Sequence, residues 1–204
     1  KAKLYAYARE DLNLCEEAAK VYVAKKPSYV GASLEHYAVE YSKKYNEAIE
    51  TLKYDVDKAN AYAYATLDLR YKGEKAEVYA YGCVDLRYNE SKSVVYTHAR
   101  IHLKYEDEKA KFYVEKRALM SESHDSAEKY AYARSDLKCT VKKAEHYVHA
   151  ITIMKCEHDA AVKHAEERIQ DFEALSSKYS GDIKKAEYHV YARDVKRYSE
   201  EKIT

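Results

Sequence analysis

The chain has 204 residues, with 36 Lys or Arg against 35 Asp or Glu, so its formal net charge is only +1 at pH 7. This balance argues against a nucleic-acid-binding protein, because such proteins need clustered excess basic charge. No stretch is apolar over the roughly 18 residues that a membrane span requires, and no signal peptide is recognisable, so we expect neither. The start at Lys1 rather than Met fits a processed, secreted protein or a trimmed sequence, and localisation stays open.

The segment 1–57 is expected to be mainly helical. Residues 11–26 place their apolar side chains on one side of a helix that Pro27 would end, although Leu4–Ala8 before them alternates like a strand. Residues 34–52 follow three- and four-residue spacing, with Ser33 available as an N-cap. We therefore predict two helices in this flank.

Residues 58–156 contain a sequence repeat with a period of seventeen, and each copy is marked by one tyrosine. The repeated tyrosines are Tyr62, Tyr79, Tyr96, Tyr113, Tyr130 and Tyr147. A fixed period of this kind indicates one structural unit copied along the chain.

Within each copy, apolar and polar residues alternate. In Ala61–Tyr71 the odd positions are Ala, Leu and Tyr, whereas the even positions are Tyr, Thr, Asp and Arg. Period two is typical of a strand with one buried face, and hairpin turns centred between copies keep the apolar residues in register. The alternation therefore predicts a six-stranded antiparallel meander over residues 58–156. The abundant Ala, Lys, Glu and Arg favour the alternative, an all-helical array with one short helix per copy.

The segment 157–204 is expected to hold a helix and a C-terminal segment: residues 158–179 again follow helical spacing and end before Gly181, whereas residues 183–198 fit either period. The whole chain is thus interpreted as one α+β domain, residues 1–204, in which the flanking helices cover the apolar face of the meander. Under this facing, Leu86 lies in the core and Tyr79 on the outer surface. Leu86→Ala is then expected to be the more destabilising of the two alanine substitutions.

The predicted outer face presents pairs of tyrosines from several strands. Tyrosine combines a large apolar ring with a polar tip and loses little side-chain entropy, so it is favoured in recognition surfaces. The sequence therefore predicts a non-enzymatic structural or interaction protein that self-associates, as a homo-oligomer, through these residues: Tyr62, Tyr64, Tyr79, Tyr81, Tyr130 and Tyr132.

A second hypothesis is a carrier of a small apolar ligand held between the sheet and its helices. Small inward-facing residues such as Ala63, Ala80 and Gly82 would leave room for the ligand, or would equally let the helices pack closely. Bound ligand in the native protein would favour the carrier, and assembly at high concentration would favour the interaction protein.

Several histidine pairs are conceivable metal ligands, but their spacing is poor and no metal or other cofactor is predicted. His98 would face Cys83 across two strands, with His102 too far along its strand. His146 and His149 point to opposite faces of a strand, although a helix would bring them together. His158 and His164 have a poor helical spacing.

No catalytic motif is present, and the four glycines leave no phosphate-binding loop, so we expect no enzyme. The cysteines show no CxxC spacing, and their disulfide state stays open: Cys15, Cys83, Cys139 and Cys156.

Overall fold

A computed structural model describes residues 1–25, 32–119 and 123–194. All regular secondary structure in these residues is α-helix, and none of them forms a strand. The helices in these ranges are α1 (Ala2–Glu10), α2 (Glu16–Lys25), α3 (Ala32–Glu50), α4 (Val56–Leu67), α5 (Glu74–Val84), α6 (Glu90–Ile101), α7 (Asp107–Leu119), α8 (His124–Ser135), α9 (Val141–Thr152), α10 (His158–Lys178) and α11 (Ile183–Asp194).

The predicted α+β fold with a six-stranded meander over residues 58–156 is therefore wrong, and the alternative of one short helix per copy fits. The error arose because the alternation counted tyrosine as an outward-facing polar residue. Tyr62 is only 6% exposed, and it shares the core with Ala59 and Ala63, both 0% exposed. Positions 59, 62 and 63 are spaced as i, i+3 and i+4, which is one face of a helix.

The beginnings of the helices repeat with the same period as the tyrosines. Asp55 and Asn89 each accept a hydrogen bond on the side chain from the backbone N–H three residues later, at 2.8 and 2.9 Å. Ser123 and Thr140 do the same at 3.2 and 3.4 Å. Successive N-caps in this series are separated by one or two repeat periods, so the start signal recurs in phase with the copies.

The turns after the helices repeat as well, with a basic residue of left-handed backbone three positions after the last helical residue. Its φ lies between 53° and 59° at Lys53, Arg70, Arg87, Lys104, Lys138 and Lys155. The N–H of the following residue then donates to a carbonyl six residues earlier, as Tyr88 does to Gly82 at 3.0 Å. This turn ends one helix and leads the chain into the next. Ser121, which has the equivalent position in its copy, lies outside the described residues.

The helices predicted in the flanks are confirmed, with shifted ends. The segment 34–52 corresponds to α3, which already begins at Ala32, so Ser33 lies within the helix and is not its N-cap. The segment 11–26 corresponds to α2, and Pro27 lies outside the described residues. The segment 158–179 corresponds to α10.

The two ambiguous segments are also helical. Leu4–Ala8, which alternates like a strand in sequence, lies in α1. The described part of the segment 183–198 forms α11, and residues 195–198 lie outside the described ranges.

The chain forms two compact units, Lys1–Ala110 and Lys111–Thr204. The first contains α1–α6, and the second contains α8–α11, while α7 contributes residues to both. That residues 1–204 behave as one domain stays a prediction.

Buried tyrosine rings fill the space between successive helices of the first unit. The Tyr79 ring packs against Tyr64 of α4, at 6.2 Å between centroids, and edge-on against Tyr71 of the intervening turn, at 6.0 Å. The same geometry recurs one copy later among Tyr81, Tyr88 and Tyr96. The small residues Ala76 and Ala80, fully buried on either side of Tyr79, let the helices approach closely enough for this ring packing.

In the second unit the core lies between α8, α9 and α10. Tyr147 packs against Tyr132, with 6.3 Å between centroids, and its hydroxyl shares a hydrogen bond of 3.1 Å with His158, the first residue of α10. Ala161 and Ala165 of α10 are fully buried in the same cluster. Their small side chains allow α10 to pack closely against α9.

Candidate functional site

The tyrosines predicted to form an interaction face divide into two groups. Tyr62, Tyr79 and Tyr130 are 6%, 2% and 2% exposed and belong to the core. Tyr64, Tyr81 and Tyr132 are half-buried, and all three pack against a tyrosine of the next copy. The six residues therefore form no continuous exposed face, because half of them stabilise helix packing. Self-association itself stays a prediction.

The structure also gives contacts for the cysteine and the histidine pair that the sequence singled out in the first unit. All four cysteines are free thiols. The Cys83 thiol donates to the Ser93 hydroxyl at 3.2 Å, whereas His98 stacks on His102 with 5.1 Å between ring centroids. The predicted juxtaposition of Cys83 with His98 depended on the register of two strands, and both residues lie in helices.

A cleft of about 560 Å³ lies between α9, α10 and α11 of the second unit, and it is the best candidate site. This volume falls within the range of about 300–1,000 Å³ that is typical of small-molecule sites. The cleft is lined by Lys142, Glu145, His146, His149, Met154, His164, Arg168, Ile169, Phe172, Glu187 and Val190.

Helical periodicity places these side chains together. His146 and His149 are three residues apart on α9 and line the same cleft, as expected for a helix. On α10, His164, Arg168 and Phe172 are spaced by four residues and form one stripe. His158, by contrast, packs against Tyr147 and does not line the cleft.

The lining has an apolar part and a polar part. Ile169, Phe172 and Val190 are half-buried, and the exposed Met154 extends the apolar surface at the rim. His146, His164 and Arg168 are also half-buried and lie within the same cleft. A pocket of this composition suits a ligand with an apolar body and a polar group.

His164 stands where the repeat would place a tyrosine. It follows Tyr147 by one repeat period, so it is the first departure from the series that begins at Tyr62. The buried Tyr147 ring fills the space between two helices, whereas His164 is half-buried and faces the cleft. The cleft thus coincides with the loss of the repeated ring.

The histidines experience a positive environment. Burial and the neighbouring Arg168 guanidinium lower the pKa of His146 below its usual value of 6.5, and His164, His149 and Lys142 act in the same direction. The pKa of His164 is lowered by the same first two causes, burial and Arg168, with His149 adding to the effect and Glu167 opposing it. Both rings are therefore mainly neutral at pH 7.

The carboxylates of the lining are paired with lysines. Glu187 lies 3.0 Å from the Lys142 ammonium, which also sits 4.1 Å from the centre of the Phe172 ring. Glu145 lies 3.7 Å from the Lys116 ammonium of α7. These pairs reduce the negative charge that Glu145 and Glu187 present to the cleft. Arg168 also contacts a carboxylate, that of Asp171 at 3.7 Å.

The cleft offers no metal centre. Over the described ranges, no group of three His, Cys, Asp or Glu side chains has the geometry to hold a metal ion. The arrangement can bind a ligand through apolar contacts, hydrogen bonds and positive charge. The expectation that the protein is not an enzyme stays a prediction.

Comparisons with protein-family models, with curated proteins and with solved structures find nothing that matches this chain. Within the residues that the structure describes, no helix combines the length and the apolar character needed to cross a bilayer.

Sequence reasoning missed the cleft because it treated the strand arrangement as the leading interpretation. Two signals in the sequence pointed to the site. The His146–His149 spacing suits a helix, and His164 interrupts the tyrosine series. The contribution of α11, through Glu187 and Val190, had no such signal.

Proposed function

We propose that the protein is a non-enzymatic binding protein that holds a small ligand with an apolar body in the cleft between α9, α10 and α11. The observation that carries the proposal is the cleft itself, where Ile169, Phe172 and Val190 offer half-buried apolar surface in a volume of about 560 Å³. Burying an apolar ligand there gains about 25 cal/mol for each Å² removed from water.

The proposal keeps the carrier hypothesis but changes its location. The ligand lies between helices of the second unit, because no sheet exists in the described residues to form the other wall. The small residues that suggested a cavity near the repeats, Ala63 and Ala80, are fully buried in the first unit, where tyrosine rings fill the space between helices.

The test is titration of the full chain with an uncharged, environment-sensitive dye such as Nile red, followed by displacement with dodecanol. We expect saturable dye fluorescence that dodecanol reverses. The critical variant is His164→Tyr, which restores the repeated ring and fills part of the cleft. We expect it to weaken dye binding by at least about tenfold, because the ligand loses volume and apolar contact.

His98→Tyr is the matched control. It introduces the same residue, also at a position where other copies carry tyrosine (Tyr64, Tyr81 and Tyr132), but it does not line the cleft. Far-UV circular dichroism and thermal unfolding of both variants verify that each is folded. Unsaturable dye binding, or equal binding by the wild-type protein and a folded His164→Tyr variant, would contradict the proposal.

A further inference from the structure

We infer that the ligand of this cleft carries an anionic oxygen group, and that His146, His164 and Arg168 bind that group while the apolar body lies against Ile169 and Phe172. The inference rests on the proposed function, since it names the class of ligand that the same cleft takes: an amphipathic anion.

The first argument is the arrangement of charge. Arg168 is the leading charge acting on both histidine rings, and its side chain is only 19% exposed. It keeps a carboxylate contact to Asp171, at 3.7 Å from one guanidinium nitrogen. A guanidinium presents five N–H donors in a planar fork, so it can hold a carboxylate or phosphate while it keeps a contact of this length with Asp171.

The second argument is that the two permanent charges among the groups that lower the pKa of His146, Arg168 and Lys142, are both cationic. Formal charges of the lining cancel when the histidines are neutral, but Glu187 is held by Lys142 and Glu145 by Lys116. The space next to His146, His164 and Arg168 therefore favours an anion over a cation or a neutral group.

The third argument is the break in the repeat. A tyrosine at position 164 would supply an apolar ring and one hydroxyl, whereas histidine supplies a ring that becomes a cationic donor when it takes up a proton. His146 adds the same capacity from α9. Two such rings beside Arg168 in one cleft are the chemistry expected for recognition of an anion.

Binding of an anion should therefore be coupled to protonation. The free cleft disfavours charged imidazoles because burial and Arg168 oppose them, and a bound anion offsets this repulsion. The bound state then holds more protons than the free state, so affinity for the anion rises as the pH falls below 6.5, the ordinary histidine value. The other polar groups that line the cleft or act on the rings are Lys142, Glu145 and His149 on α9, Arg168 and Glu167 on α10 and Glu187 on α11.

The experiment compares ligands that share one alkyl chain and differ in the head group: dodecanoate, dodecyl phosphate, dodecanol and dodecyltrimethylammonium. Each is titrated calorimetrically into the full chain, below its micelle concentration and in two buffers of different ionisation enthalpy. We expect dodecanoate or dodecyl phosphate to bind at least about tenfold more tightly than dodecanol, with net uptake of protons. The carboxylate and phosphate arms identify which oxyanion the cleft prefers.

Substitutions test which residues bind the anionic group. Arg168→Gln and His146→Gln should each reduce the preference for the anion over dodecanol, while affinity for dodecanol changes little. Lys163→Gln removes a cation from the same helix outside the lining, and it should leave the preference intact.

The outcomes separate this inference from the proposed function. Equal binding of dodecanol and the anions, or tighter binding of the ammonium compound, would overturn the inference and leave the apolar site standing. Absence of binding by all four compounds would overturn both.

Discussion

The strongest consequence of the helical fold concerns Tyr79, which the structure places in the core. Its ring is 2% exposed and contacts Tyr64 and Tyr71, and the adjacent Ala76 and Ala80 are fully buried and cannot expand into a cavity. Truncation of large buried aromatic residues costs about 3–5 kcal/mol, and two lost ring contacts place Tyr79→Ala toward the upper end. We therefore expect a loss of about 4 kcal/mol in the free energy of unfolding.

Leu86→Ala is the matched comparison, because Leu86 belongs to the same copy but is only half-buried. Its expected cost is about 1–2 kcal/mol, roughly half of a full leucine truncation. Tyr79→Phe separates the ring from the hydroxyl. Burial raises the Tyr79 pKa, with a further rise from its hydrogen bond to Cys83, and removing that hydroxyl should cost about 1 kcal/mol or less.

The assay is equilibrium unfolding in urea followed by far-UV circular dichroism. If the two compact units unfold in separate transitions, the change is read from the transition that moves. A larger loss for Leu86→Ala than for Tyr79→Ala would refute the packing argument and restore the outward facing that the strand interpretation assigned to Tyr79.

Two further predictions concern the helix starts and the histidines. Asn89→Ala should lower the free energy of unfolding by about 1 kcal/mol in the same assay, because the Lys92 N–H loses its 2.9 Å acceptor. Asn89→Asp should preserve the cap, and equal losses for both variants would exclude the capping role. Because the pKa values of His146 and His164 are lowered in the folded state, the unfolded chain takes up protons first, so the free energy of unfolding should decrease as the pH falls through 6.5 toward the lowered values. A double variant with glutamine at both positions should lose that part of the pH dependence, measured by urea unfolding at a series of pH values, and an unchanged slope would contradict the assignment.

The repeat period could be predicted from the sequence, but the type of element within it could not be chosen from alternation alone. If tyrosine counts as polar, Tyr62, Ala63 and Tyr64 alternate as in a strand. If tyrosine counts as apolar, Ala59, Tyr62 and Ala63 form one face of a helix. The N-cap series resolves this ambiguity, since Asp55, Asn89, Ser123 and Thr140 recur in phase and an N-cap has no role in a strand. Capping residues carry information about element type that hydrophobic alternation in an alanine- and tyrosine-rich chain does not.

The turns were harder to predict for a different reason. Left-handed backbone usually indicates Gly or Asn, and here Arg87 and Lys104 occupy such positions with φ of 53° and 55°. A composition with four glycines in 204 residues therefore did not indicate the six basic residues that have left-handed backbone in the described ranges. The basic residue before Tyr88 or Tyr105 recurs in the sequence. Neither Arg nor Lys favours left-handed backbone, however, so the residue type did not predict the turn.

The candidate site follows from the place where the repeat loses its period. In the preceding copies each helix ends after 11 to 13 residues, whereas α10 continues for 21 residues, so Phe172 is helical where the other copies have the left-handed basic residue. As a result α11 begins at Ile183, whereas one further repeat period after His158 would start a helix at Leu175. With α11 out of phase and His164 in place of tyrosine, the space between these helices is lined by mixed apolar and cationic groups and is not filled by a ring. Departures from a local rule persist where they serve a function or are compensated elsewhere. In the described part of the second unit, the change to His164 and the longer α10 both affect the same cleft. That convergence is why His164→Tyr, which restores the rule at a single position, is the most discriminating substitution in the chain.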